Sequence, residues 1–272
     1  MLAVVHRPRM KILGILNITE DSFSDGGKYL APVAALAHAD DLLAEGADIL
    51  DVGAAASNPD AARVAPEVEI ARLEGVVTAL HDSGASLSID SFSLPVQRWA
   101  LAQGVDYLND IHGFADPALY PDLAASSAKL IVMHMVQERG PATRTDIPTD
   151  QIFDRILSFF EKRLTALTAA GIAPERLILD PGMGFFLSTD PQASLTVLGR
   201  LPELIEAFEL PLLISVSRKS FLKALARPGE IQDASAATEL FAASQGASYI
   251  RTHAPAPLYD GLKLLNRMED GR

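Results

Sequence analysis

Short apolar runs of β-favouring residues recur along the whole chain at a spacing of roughly 30 residues, separated by helix-like stretches. There are eight: KILGILN from Lys11, ILDVGA from Ile49, LSIDS from Leu87, YLNDI from Tyr107, KLIVMH from Lys129, LILDPG from Leu177, LLISVS from Leu212 and YIRTH from Tyr249. Alternation of this kind marks repeated βα units and a parallel sheet. Eight strands in about 250 residues favour a closed barrel over an open, doubly wound sheet. The expected fold is therefore α/β, a single (β/α)8 TIM barrel over residues 11–272, with residues 1–10 as an N-terminal extension.

The stretches between the runs agree. Pro32 to Glu45, Pro66 to Asp82, Asp150 to Ala170 and Pro191 to Phe208 carry apolar residues at helical spacing. Several begin with proline, and Gly46, Gly84, Gly104, Gly171 and Gly246 stand where helices should end before the next strand. No linker or low-complexity stretch divides the chain.

Composition narrows the function. With 49% hydrophobic residues and a mean hydropathy of +0.18, the chain can bury a large core. No apolar run approaches the ~18 residues needed to cross a bilayer, and the opening MLAVVHRPRM lacks the features of a signal peptide, so a cytoplasmic location is expected. The absence of cysteine excludes disulfides and thiolate metal sites. A net charge of -12 argues against a nucleic-acid partner, because such affinity comes from Lys and Arg neutralising phosphates.

In a barrel, the C-terminal strand ends build the active site. Here they read Asn17, Asp51, Asp90, Asn109 with Asp110, His134, Asp180, Ser215 with Ser217, then Arg251 and His253. Any one of these could simply form a turn; eight polar strand ends together point to a site. Carboxylates and amides can read the donors and acceptors of a flat heterocycle. Lys219, Arg251 and His253 form a basic set able to hold an oxyanion.

GILNITEDSFSDGG at Gly14 to Gly27, GADILDVG at Gly46 to Gly53, SIDS at Ser88, YLNDI at Tyr107, LILDPGMGF at Leu177 to Phe185, SVSRKSFL at Ser215 to Leu222 and RTH at Arg251 to His253 resemble, in order, the motifs of dihydropteroate synthases. The resemblance covers essentially the whole chain. It implies joining of a pterin diphosphate to p-aminobenzoate, with Asp90, Asn109, Met133, Asp180, Lys219 and Arg251 around the pterin. Asp90, Asp180 and Lys219 would be the catalytic groups. Asn17, Arg251 and His253 would meet the diphosphate, with Asn17 as a ligand of Mg²⁺. Phe23, Phe185 and Ser217 would bind p-aminobenzoate. It also implies that the first two loops close over the substrates, and a homodimer formed through helices late in the barrel.

The chain departs from the usual pattern in two places. The second loop reads AAASNPDAARV, with Asn58 where the family places arginine, and Arg63 is the candidate replacement. After the sixth strand the usual Gly-Phe-Gly-Lys becomes Gly184-Phe185-Phe186-Leu187. Both departures resemble the sulfonamide-insensitive branch of the family, with Phe185 and Phe186 as the residues expected to discriminate drug from substrate. The alternatives are a pterin-binding methyltransferase-type barrel and a non-catalytic pterin-binding relative.

Overall fold

The computed structural model describes residues 10–18, 30–60, 62–137 and 140–270. In chain order the main elements are β1 (Lys11–Asn17), α1 (Leu30–Ala44), β2 (Ile49–Gly53), α2 (Pro66–Asp82), β3 (Leu87–Asp90), α3 (Leu94–Ala102), β4 (Tyr107–Asp110), α4 (Tyr120–Ala125) and β5 (Lys129–Met133). They continue with α5 (Thr149–Ala169), β6 (Leu177–Asp180), α6 (Pro191–Gly199), α7 (Leu201–Phe208), β7 (Leu213–Ile214), α8 (Ser220–Leu225), α9 (Ile231–Ser244), β8 (Tyr249–Thr252) and α10 (Pro255–Asp270). The strands run parallel in the order β6-β5-β4-β3-β2-β1-β8-β7. A parallel bridge between Leu179 and Leu212 joins the two ends, backed by the Leu179 N–H bonded to the Pro211 carbonyl at 2.9 Å. This is the expected (β/α)8 barrel.

Each strand is covered on both faces, which is why its sequence reads as an apolar run rather than a polar–apolar alternation. All five residues of β2 are buried. Leu13, Ile49, Tyr107, Ile131, Ile178, Leu213 and Tyr249 form one cluster that fills the lower part of the barrel. Their neighbours Ile12, Leu50, Leu108, Leu130, Leu177, Ile214 and Ile250 belong to the larger core under the helices.

Local chemistry sets the helix ends. In α2, Pro66 occupies the first turn, where its missing N–H costs nothing, and Glu67 and Glu69 lie at the positive end of the helix dipole. The chain leaves through Gly84 at φ +79°, a left-handed turn that favours glycine.

Two elements differ from expectation. The helix expected from Pro191 to Phe208 is two helices, broken at Arg200 (φ -114°, ψ 15°). Gly199 ends the first, and Pro202, in the first turn of the second, cannot continue a helix from the preceding residues. The seventh run, LLISVS, pairs as a strand only at Leu213–Ile214, with Leu212 bridging. Ser215 to Ser217 leave the sheet toward Arg218, which takes a left-handed φ of 57°.

Candidate active site

Side chains alternate along a strand, so counting in twos from the lower layer selects the residues that face the barrel axis. Ile49 leads to Asp51, Tyr107 to Asn109, Ile131 to Met133, Ile178 to Asp180, Leu213 to Ser215, and Tyr249 to Arg251 and His253. The same count takes Asp110 and His134 out of the site. The Asp110 carboxylate accepts the His112 N–H at 2.8 Å and the Phe114 N–H at 2.9 Å, shaping the turn after β4. The His134 Nδ1 lies 3.0 Å from the Pro181 carbonyl, and its ring packs edge-on against Phe159 of α5. Burial takes His134 down to about 4, so it is neutral at physiological pH.

Asp90, Asn109, Met133, Asp180, Lys219 and Arg251 line one cleft at the C-terminal end of the barrel. Phe186 lines it too, as do Ser57, Ile111, Met183 and Ser215. Of these, Ser57, Ile111 and Met183 had no signal of their own in the sequence. Ser215 stood among the polar strand ends without a role.

The cleft is organised around Asp51, fully buried on β2. Arg251 Nε donates to Asp51 Oδ2 at 2.5 Å, and its Nη2 donates to Asp90 Oδ2 at 2.7 Å. Asn109 Nδ2 donates to the same Asp51 oxygen at 3.2 Å. One aspartate thus fixes both an arginine and an amide, a role the sequence reading did not assign to it. The visible signal was a carboxylate inside ILDVG, an otherwise apolar strand. Asp51 Oδ1 and Asn109 Oδ1 are buried without a hydrogen-bond partner, so two acceptors remain available within the barrel.

Burial opposes every charge here. It raises the Asp90 carboxyl, with Arg251 pulling the other way and Asp51 reinforcing the rise. Burial lifts Asp180 to about 6, against the Gly182 N–H bonded at 2.8 Å and the nearby Lys219 ammonium. Burial also lowers Lys219 to about 8; Arg251 lowers it further, while Asp180 and Asp90 hold it up. The Lys219 ammonium stands 4.6 Å from the centre of the Phe186 ring. Arg251 stays charged, since Asp51 and Asp90 outweigh its desolvation.

His253 stands beside these charges. Burial, then the neighbouring Arg251, Arg218 and Lys219, lowers it to about 3. Ser217 Oγ accepts the His253 backbone N–H at 3.2 Å and lies 3.0 Å from Nδ1. The hydroxyl can also donate to Nδ1, and in that tautomer a neutral His253 has its Nε2–H to offer an anion. Ser217 is therefore bonded to His253 rather than lining the cleft.

The two phenylalanines separate. Phe186 is buried in a cluster with Ile111, Met133 and Met135. Phe185 is only half-buried, with the Arg144 guanidinium 5.5 Å from its ring centre. Asn17 is exposed at the end of β1, Arg63 is exposed and outside the cleft lining, and Phe23 lies outside the described residues. Among the described residues no group of three His, Asp or Glu side chains could hold a metal.

The sequence profile of the pterin binding enzyme family matches residues 13–253. Dihydropteroate synthase type-2 of Escherichia coli is 56% identical over 261 residues, covering 95% of this chain and 96% of its own. This chain belongs to the dihydropteroate synthase family. Dihydropteroate synthase type-1 of Mycolicibacterium fortuitum is 52% identical over 93% of this chain and 90% of its own. The solved Xanthomonas albilineans dihydropteroate synthase with 4-aminobenzoic acid superposes with a TM-score of 0.87 at 32% identity, covering 96% of this chain and 93% of that one. The same enzyme in complex with 7,8-dihydropteroate gives a TM-score of 0.83. Identity at this level with synthases, over nearly the full length of both chains, removes the methyltransferase-type reading. The chain is a transferase of folate biosynthesis.

Proposed function

We propose that this dihydropteroate synthase condenses 6-hydroxymethyl-7,8-dihydropterin diphosphate with p-aminobenzoate, giving 7,8-dihydropteroate and diphosphate, through the cleft around Asp90, Asn109, Asp180, Lys219 and Arg251. The carrying observation is that these side chains, from five separate strands and loops, converge on one buried cleft. The pterin lies deep, where Asp180 keeps one carboxylate oxygen free of Gly182 to accept ring donors and Asn109 Oδ1 is unpartnered. Met133 flanks the ring, and Lys219 is held beside it by Phe186.

Cleavage of the carbon–oxygen bond leaves a pterin methylene with cationic character and a departing anion. Asp90 stabilises the first, and Arg251 and the Nε2–H of His253 receive the second. The amine of p-aminobenzoate then attacks the methylene and loses a proton. Mg²⁺ bound with the diphosphate would take the Asn17 amide oxygen as its protein ligand and offset phosphate charge. Phe185 flanks the p-aminobenzoate ring, and Ser217 turns from His253 to its carboxylate.

Sulfonamides resemble p-aminobenzoate with added bulk, so insensitivity needs a wall that rejects the larger ligand. Phe185, at the rim, suits that role better than Phe186, which is occupied with packing and with Lys219. The location is cytoplasmic, and no described helix is long and apolar enough to cross a membrane. Exposed Phe241 on α9 and Leu264 and Met268 on α10 support a homodimer through this side of the barrel.

The test is diphosphate release from the pterin substrate with Mg²⁺ and p-aminobenzoate, with a sulfonamide titrated in parallel. Turnover that persists at high drug supports both parts. Turnover abolished at low drug keeps the synthase and removes the insensitivity, and pterin binding without turnover points to the non-catalytic relative.

A further inference from the structure

The second loop is joined to the loop after β5. Asn58, standing where the family places arginine, accepts the Asp60 N–H through its side-chain oxygen at 3.0 Å. This small turn presents the Asp60 carboxylate outward. Arg144 meets it with a two-pronged contact, Nη1 to Oδ1 at 3.0 Å and Nη2 to Oδ2 at 2.6 Å. Beside it the Ala142 N–H donates to the Ser57 carbonyl at 2.9 Å. Ser57 lines the cleft, and the Arg144 guanidinium lies over the Phe185 ring. The loop after β5 is tied in turn to the loop after β6, because Val136 N–H bonds to the Phe186 carbonyl and Thr189 N–H to the Thr145 carbonyl, both at 2.9 Å.

We propose that Asp60 and Arg144 form a latch that fixes the second loop against Phe185 and so sets the width of the p-aminobenzoate end of the cleft, making this pair a determinant of specificity. It rests on the reading of the cleft as a synthase site. A lone exposed ion pair contributes little, because solvent screens it and both side chains lose freedom. This pair differs in three respects: the fork holds both carboxylate oxygens, a backbone hydrogen bond runs parallel to it, and the guanidinium also covers an aromatic ring. The guanidinium beside Asp60 holds its carboxyl below the usual range, so the latch stays charged through neutral and mildly acidic pH. In this chain the cation at the rim therefore comes from the fifth loop, at Arg144, and the second loop supplies its counter-charge. Arg63 is not needed for that contact.

Charge reversal tests it. Asp60→Arg and Arg144→Asp should each raise KM for p-aminobenzoate about fivefold, with kcat and KM for the pterin diphosphate within about twofold of the parent. The double reversal, which rebuilds the pair with opposite polarity, should bring KM back to within about twofold. Hydrogen exchange at the Ala142 amide reads the latch without any turnover. It should quicken about fivefold or more in each single variant and slow again in the double one. Single reversals that leave KM unchanged, or a double reversal no better than the worse single, overturn the proposal, as does exchange at Ala142 that ignores the substitutions. If the parent shows no turnover, the synthase reading fails by itself, and the exchange pattern alone then supports or overturns the latch.

Discussion

Burial brings Asp180 to about 6 and Lys219 to about 8, so only between those values do the two face a substrate with a carboxylate and an ammonium together. Below about 6 the carboxyl is protonated and ceases to accept from a pterin ring; above about 8 the amine is neutral. We expect kcat/KM for the pterin diphosphate to be bell-shaped with limbs near those values. Lys219→Arg, whose guanidinium does not titrate in this range, should lose the alkaline limb. An alkaline limb that persists in the arginine variant would assign it to another group. The phenylalanines differ just as plainly. Phe186→Ala empties a packed cluster and should cost about 3–5 kcal/mol in urea unfolding. Phe185→Ala should cost far less and, if Phe185 is the drug barrier, lower the half-inhibitory sulfonamide concentration about tenfold or more.

The turns after the strands decide where the site residues point. After β4, Asp110 holds the N–H groups of His112 and Phe114, and Phe114 takes a left-handed φ of 60°. Asp110→Ala leaves both donors without this acceptor in a largely buried turn. We expect a loss of about 1–3 kcal/mol, measured by chemical denaturation, with no direct loss of a pterin contact. After β6, Gly182 at φ +75° lets the turn pass close to β5, since a Cβ there would meet the His134 carbonyl oxygen at 2.4 Å. Such turns were partly legible, as DPG and NDIHG are turn-forming sequences. The early end of β7 was not, because LLISVS is locally as good a strand as its neighbours. It ends at Ile214 because Ser215 and Lys219 beyond it line the cleft and Ser217 meets His253, so none of them enters the pairing.

Among the described residues burial raises several carboxyls, and Glu239 on α9 is one that lies outside the cleft lining. It is 1% exposed, and burial raises it to about 7, with a hydrogen bond to Thr252 of β8 pulling the other way. Because its folded value lies above the ordinary 4.5, the folded state holds a proton that the unfolded chain releases. Its contribution is complete below about 4.5 and declines as pH rises through about 7. Glu239→Gln should therefore gain stability relative to the parent between pH 5 and 8, by up to about 3 kcal/mol, as read by urea unfolding at the two values. A difference that does not change with pH would show that Glu239 is already ionised in the folded state across this range. By itself the sequence pointed to the barrel, because eight apolar runs alternating with helical stretches in about 250 residues favour a closed parallel sheet under helices over an open one. Period-two counting along those runs also carries most of the cleft, including the separation of Asp51 from Asp110. Only the tertiary structure decided that Asp51 anchors Arg251, that His253 is neutral, that Phe185 and Phe186 divide rim from interior, and that Asp60 meets Arg144. Each of these depends on distances and burial between residues far apart in the chain, and local pattern carries no information about either.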